Sequence, residues 1–153
     1  MAMFERTTCV ARPIAEVFDF FIRPRNLIVT APPELNLRLV SGPETVELGA
    51  GVKVQGGAFG ISLTVENEVT AFEPPYQFRD EQRQGPLGKW IHTHRFEEIP
   101  GGTRIIDRIE FAAPTGILGL LVNEDTIGRE LVGVFEYREK KIHELLGDYP
   151  ASA

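Results

Sequence analysis

The chain has 153 residues, and its 22 acidic against 16 basic side chains leave a formal charge of −6. With 42% hydrophobic and 25% charged residues it can build one domain with its own core, which excludes a disordered, collagen-like or coiled-coil chain. A pI near 5.1, with no basic run longer than two, excludes a nucleic-acid binder, because neutralising phosphates takes clustered Lys and Arg.

Gly and Pro punctuate the sequence, and the elements are read between them. Residues 3–10 have the composition of a strand. After Pro13, a residue suited to a first helical position, Ile14, Val17, Phe18 and Phe21 fall at i, i+3, i+4 and i+7. This predicts an amphipathic helix that Pro24 ends. A second short helix runs from Pro24 to about Thr30, where Pro32 and Pro33 stop it. From Leu35 to Phe111 the period is two, with turn signals at Gly42-Pro43, Gly49-Ala50-Gly51, Gly60, Pro74-Pro75, Gly85-Pro86 and Pro100-Gly101-Gly102, so that six strands fit between the breaks. In 61–71 the apolar Ile61, Leu63, Val65, Val69 and Ala71 alternate with Ser62, Thr64, Glu66, Glu68 and Thr70, the pattern of an antiparallel sheet with one wet and one buried face. From about Leu120 to Leu146 the period is helical, with Ile127, Leu131, Val134, Phe135, Ile142 and Leu145 on one stripe. The expected fold class is α+β: a seven-stranded curved antiparallel sheet around a long C-terminal helix, with two short helices after strand one, in a single domain spanning 1–153. Sheet and helix can enclose a hollow.

The segment Gln77–Phe111 carries the candidate chemistry. A loop of Gly85, Pro86 and Leu87 pairs Asp80 with His92, Phe78 with His94 and Tyr76 with Phe96. A loop of Glu98, Ile99, Pro100 and Gly101 then pairs Trp90 with Ile109, His92 with Asp107 and His94 with Ile105. One face thus holds Tyr76, Phe78, Trp90, Phe96 and Phe111 with Asp80, Gln82, His92, His94 and Asp107, while the other carries Arg and Glu residues suited to solvent. Two carboxylates flanking His92 on adjacent strands predict one hydrogen-bonded line with His92 in the middle and its pKa raised by both acids. Three uses of the line stay open: a satisfied structural network, polar recognition of an apolar ligand, or proton transfer. His92 and His94 at i, i+2 also have a spacing a metal can use; the aromatic neighbours and the distant His143 favour no metal. Cys9, the single cysteine, reads as a buried apolar residue. Gly49-Ala50-Gly51 is followed by a strand and fails as a phosphate loop, and Arg23 and Arg25 read as a solvated rim.

The stretch DEQRQGPLGKWIHTHRF, residues 80–96, resembles the DxQxxGPxxxWxHxHxF signature of a branch of the SRPBCC superfamily, the helix-grip proteins that include START lipid carriers, polyketide cyclases and the major birch-pollen allergen. Residues 11–33 are similar to that branch's first helical segment and residues 101–119 to its last strand and the following turn. The resemblance implies the same fold, an internal apolar cavity, and signature roles for Asp80, Gln82, Gly85, Pro86, Trp90, His92, His94, Phe96 and Asp107. Leu87 departs from it where an aromatic is common.

The function expected first is binding or transport of a small hydrophobic ligand, whether lipid, polyketide-like or aromatic, in a cavity lined by Phe18, Phe21, Val65, Phe78, Gln82, Trp90, His94, Phe96, Phe111 and Phe135. The alternative is an enzyme of the cyclase, dehydratase or isomerase kind, in which His92 moves a proton and Asp80 and Asp107 orient it. Delivery of a ligand to a membrane redox complex rests on fold analogy alone. No cofactor is called for, the partner is the small hydrophobic ligand, and a homodimer is compatible with the pattern. The stretch Gly116–Val122 is far below the roughly 18 apolar residues of a membrane span. A lone cysteine, and a Glu where a secretory leader starts its apolar run, lead us to expect a cytoplasmic protein.

Overall fold

Seven strands form one sheet in the computed structural model, which describes residues 1–58 and 61–150. The expected turn at Gly60 and the side chain of Ile61 lie outside the described residues. The strands are β1 (Ala2–Val10), β2 (Arg38–Ser41), β3 (Gly51–Ala58), β4 (Ile61–Glu73), β5 (Gln77–Gln84), β6 (Lys89–Ile99) and β7 (Gly102–Ala112). They lie in the order β1-β7-β6-β5-β4-β3-β2, every neighbouring pair antiparallel. Helices α1 (Ile14–Phe21) and α2 (Pro24–Val29) follow β1, as the two prolines require. A short 3-10 turn, Pro33–Leu35, then uses the fixed φ of Pro33 to begin a new turn.

The C-terminal helix departs from expectation. The segment breaks at Val122 and Asn123 into α3 (Gly116–Leu121) and α4 (Glu124–Leu146). Asn123 caps α4: its Oδ1 accepts from the Thr126 backbone N–H and hydroxyl, both at 2.9 Å, and Glu124 and Asp125 add negative charge at the helix N-terminus. The buried stripe of α4 is Ile127, Leu131, Phe135, Arg138, Ile142 and Leu146. Leu145, expected on it, is 43% exposed, while Leu146 and the charged Arg138 are inside.

Two registers also differ. A bulge in β4 sets both Thr70 and Ala71 beside Arg79, so Phe72 rather than Ala71 continues the inner row and meets the Phe18 ring at 5.6 Å. The β6–β7 hairpin closes through a two-residue turn, Pro100-Gly101, with Gly101 at φ 76, where a β-carbon would be strained. Its pairs are Trp90 with Phe111, His92 with Ile109 and His94 with Asp107, a shift of two from the expected set. The β5–β6 register matches: Asp80 faces His92 and Phe78 faces His94. Tyr76, expected inside, is 58% exposed at the sheet margin.

The core has two parts. Val10, Ile14, Val17, Phe18, Phe78, Phe96, Ile105, Ile142 and Leu146 pack under α1 and the end of α4; Ile109, Phe111, Val122, Ile127, Leu131 and Phe135 pack under its beginning. Among the described residues no helix is long and apolar enough to cross a membrane.

Candidate functional site

Where β3 and β4 curve away from α4, no large ring fills the space. A cavity of about 360 Å³ opens there between β3–β6, α1, α2 and α4. Its walls are mostly apolar: Val52 and Val54 from β3, Leu63, Val65 and Val69 from β4, Phe78 and Trp90 from β5 and β6, Phe21 and Leu27 from α1 and α2, and Ile127 and Leu131 from α4. Asn67, Asp80, Gln82, His92, His94 and Arg138 form its polar part. Near the mouth Arg23 is held by Asp19 at 3.1 Å and Glu44 at 3.3 Å, and the exposed Glu130 stands on α4.

The polar groups form a network different from the expected line. His92 Nε2 lies 2.8 Å from Asp107 Oδ1, whereas Asp80 Oδ2 is 2.8 Å from His94 Nε2. His94 Nδ1 stands 3.5 Å from Asp107 Oδ1, so His94, not His92, sits between the two acids. The cause is the two-residue hairpin turn, which puts His94 directly across from Asp107 and leaves His92 to reach it diagonally. Asn67 donates to Asp80 Oδ1 at 3.1 Å, and Arg138 Nη2 approaches Asp107 Oδ1 at 3.6 Å. The His94 ring is sandwiched between Phe78 at 4.1 Å and His92 at 3.7 Å.

Charge follows this geometry. Burial lowers the His94 pKa, but the bonds and charges of Asp107 and Asp80 outweigh it and leave it above the ordinary value. For His92, burial and the neighbouring His94 charge outweigh Asp107 and leave it below, the reverse of the expected direction. Burial raises the Asp107 carboxyl, yet the Arg138 charge and the two histidines hold it well below the usual range. Asp80 is lowered too: burial opposes ionisation and His94 prevails. Asp80, His92 and His94 also bring three potential metal-ligand atoms within 4.8 Å of one another. Two of these three residues, Asp80 and His94, are paired with each other at 2.8 Å.

Phe21, Val65, Phe78, Gln82, Trp90 and His94 line the cavity with Asp80 and His92. Phe18, Phe96, Phe111 and Phe135 do not. Phe18 and Phe96 pack edge to face at 5.5 Å, Phe111 is buried beneath α4, and Phe135 packs on Phe4 at 5.0 Å. Asp107 is buried behind His92 rather than on the wall, and Asp80 bonds His94 rather than His92. Gln82 brackets the β5–β6 loop, its Nε2 donating to Leu87 O at 2.8 Å; a β-carbon on Gly85 would lie 2.3 Å from its Oε1. Cys9 is half-buried, and His143 Nε2 lies 3.0 Å from its carbonyl oxygen. Asn67 and Arg138 were missed, although each left a mark. Asn67 is the polar interruption in the apolar row of 61–71, and Arg138 is a charge at core spacing on the α4 stripe.

No protein-family model matches the chain, and no curated protein does. Solved structures match along nearly its whole length. Protein CV1439 from Chromobacterium violaceum superposes with a TM-score of 0.74 at 13% identity, covering 96% of this chain and 98% of that one. Ara h 8.0201 gives 0.67 at 16% over 95% and 97%, and major latex-like protein 151 from Panax ginseng gives 0.68 at 10% over 95% and 97%. The fold is the helix-grip fold. That is the architecture which the SRPBCC resemblance implies, and in this helix-grip chain α4 grips only one half of the sheet.

Proposed function

We propose that the protein binds a small, mostly apolar molecule inside the helix-grip cavity, with a polar end of that molecule turned toward His92 and Arg138. The observation that carries this reading is an apolar hollow of about 360 Å³ ending in a cluster of convergent polar groups, the usual make-up of a small-molecule site. An engineered apolar cavity of about 150 Å³ holds one benzene, so this one has room for roughly two such rings or a medium chain. The resemblance of residues 80–96 to the DxQxxGPxxxWxHxHxF signature supports a place in that SRPBCC branch, and two of its signature positions, Trp90 and His92, line the cavity. Carriage or sensing of the ligand is the role this supports.

Titration with Nile red, an uncharged apolar dye, tests the reading. Dye emission is expected to rise on binding while the fluorescence of Trp90, the only tryptophan, changes. Mass spectrometry of an organic extract then identifies what the purified protein carries. Dye that stays dark at all protein concentrations, together with an empty extract, overturns the proposal.

A further inference from the structure

Arg138 is 7% exposed, yet among the described residues no hydrogen bond ties its guanidinium to the protein. Its nearest acidic atom is Asp107 Oδ1 at 3.6 Å, its Nε is occluded without a partner, and its faces rest on the Phe21 and Phe135 rings at 5.1 and 5.2 Å. A buried guanidinium with unused donors is costly to keep unless something else accepts from it. His92 has its own unused atom. Asp107 can only accept, so Nε2 of a neutral His92 carries the hydrogen and Nδ1 is left as a lone pair, on a ring that lines the cavity. Both groups approach the same oxygen, Asp107 Oδ1, at 2.8 and 3.6 Å, and both line the cavity.

We propose that the ligand is an apolar carboxylic acid, that its carboxyl group lies between the Arg138 guanidinium and His92 Nδ1, and that it binds together with one proton. This rests on the cavity being a ligand site. The charges around His92 close the argument. Between the lowered pKa of His92 and the raised pKa of His94, Asp80 on β5 and Asp107 on β7 are negative, His94 on β6 and Arg138 on α4 are positive, and His92 is neutral, so in that pH window the empty cluster is balanced. Arg6 of β1, across from Asp107, is turned to Glu139 at 2.8 Å, and Arg23 at the rim is paired with Asp19 and Glu44. A carboxylate entering this balanced cluster brings one uncompensated negative charge. One proton from solvent cancels it, whether it resides on His92 Nδ1, which then donates to the carboxylate, or on the acid, which then donates to Nδ1. The Arg138 donors serve either form.

The test uses the whole protein and two matched pairs of probes, 2-naphthoic acid with 2-naphthamide and decanoic acid with decanamide, each read by Nile red displacement and Trp90 fluorescence. At pH 6 the better acid is expected to bind at least tenfold tighter than its amide. Its affinity then falls about tenfold per pH unit above pH 7 while that of the amide stays level. Calorimetry in buffers of differing ionisation enthalpy is expected to find one proton taken up per acid bound. Arg138→Gln is expected to erase the preference for acid and keep amide binding, and His92→Gln to erase the proton uptake. If the Arg138 variant does not fold, the wild-type comparison of acid with amide decides alone. Nile red binding with acids no tighter than amides, or acid binding without proton uptake, overturns this inference and leaves the cavity reading standing. Exclusion of the dye and of all four probes overturns both.

Discussion

The two halves of the inner sheet face are both apolar and do opposite things. Under α4, the strands β1, β6 and β7 present Phe4, Phe96, Ile105, Ile109 and Phe111, which close on α1 and α4 into a packed core. Away from α4, β3 and β4 present Val52, Val54, Leu63 and Val65, all half-buried, and enclose a hollow. Hydrophobic character fills the first half because a helix with its own apolar stripe lies within reach. In the second half, α1 and α2 are short and stand at the rim, and branched aliphatic side chains are too small to bridge the gap. What decides between core and cavity is therefore the partner across the face rather than the polarity of the face itself.

The largest expected effect of this difference is on stability. Phe111→Ala removes a ring that is 2% exposed and is expected to cost about 3 to 5 kcal/mol, whereas Val65→Ala at the cavity wall is expected to cost about 1 kcal/mol. Urea unfolding of the two variants checks this, and equal losses would break the contrast between solid and hollow halves.

Next in size is the polar network at the seam of the two halves. Asp107 is 3% exposed and serves His92, His94 and Arg138 together. Asp107→Asn leaves buried cations without their counter-charge and is expected to cost about 3 kcal/mol, with Asp80→Asn costing less because Asp80 lies on the cavity wall. Because the folded Asp107 pKa is depressed, its contribution is present above the ordinary carboxylate range near pH 4 and is lost as pH falls through the folded value. Acid unfolding of the wild type should therefore be steeper than that of Asp107→Asn.

The seam also shows what the sequence made legible and where it stopped. Element order, fold class and the inward parity of β5, β6 and β7 were readable, because outward positions such as Arg79, Arg95 and Arg108 announce themselves by charge. The β6–β7 register was not. Loops of two and of four residues both preserve a period of two, so alternation cannot separate them, and the choice of Pro100-Gly101 exchanged the roles of His92 and His94. The bulge at Thr70 and Ala71 carries no Gly or Pro to mark it. A charge on a helix ordinarily faces water, and the place of Arg138 on the stripe becomes informative only beside Asp107. The aromatic residues assigned to the cavity failed for the reason seen above: Phe18, Phe96, Phe111 and Phe135 find one another or α4 first.

The two histidines offer a finer measure of the seam, since both line the cavity but only His94 is held between two rings and set between the two acids. NMR titration is expected to place the His94 transition above 6.5 and that of His92 below it. The stability each contributes then has opposite sign with pH. That of His94 is complete below its unfolded value near 6.5 and is lost as pH rises through its folded value. That of His92, held neutral, is present above 6.5 and is lost as pH falls through its folded value. Asp80→Asn should lower the His94 value by removing the charge of its 2.8 Å partner while leaving the His92–Asp107 bond in place. If His92 is instead the higher of the two, the assignment of His94 to the middle of the network fails.

The smallest change in stability is expected from a substitution that adds volume. In a packed core, inserting methylene groups forces side chains off their rotamers and costs about 1 to 3 kcal/mol. Val65 stands on the wall of a cavity of about 360 Å³, so the ring of Val65→Phe can grow into free space and bury itself at little strain. Its unfolding free energy is expected to stay within about 0.5 kcal/mol of the wild type, while Nile red affinity drops because the space is taken. Ile109→Phe, by contrast, has no such room beside Phe111 and is expected to be destabilising. Calorimetric melting of both variants alongside dye titration separates the cases. A Val65→Phe protein that unfolds as easily as Ile109→Phe would mean that the space seen beside β4 is closed in solution. Equal dye binding before and after the substitution would place the dye elsewhere.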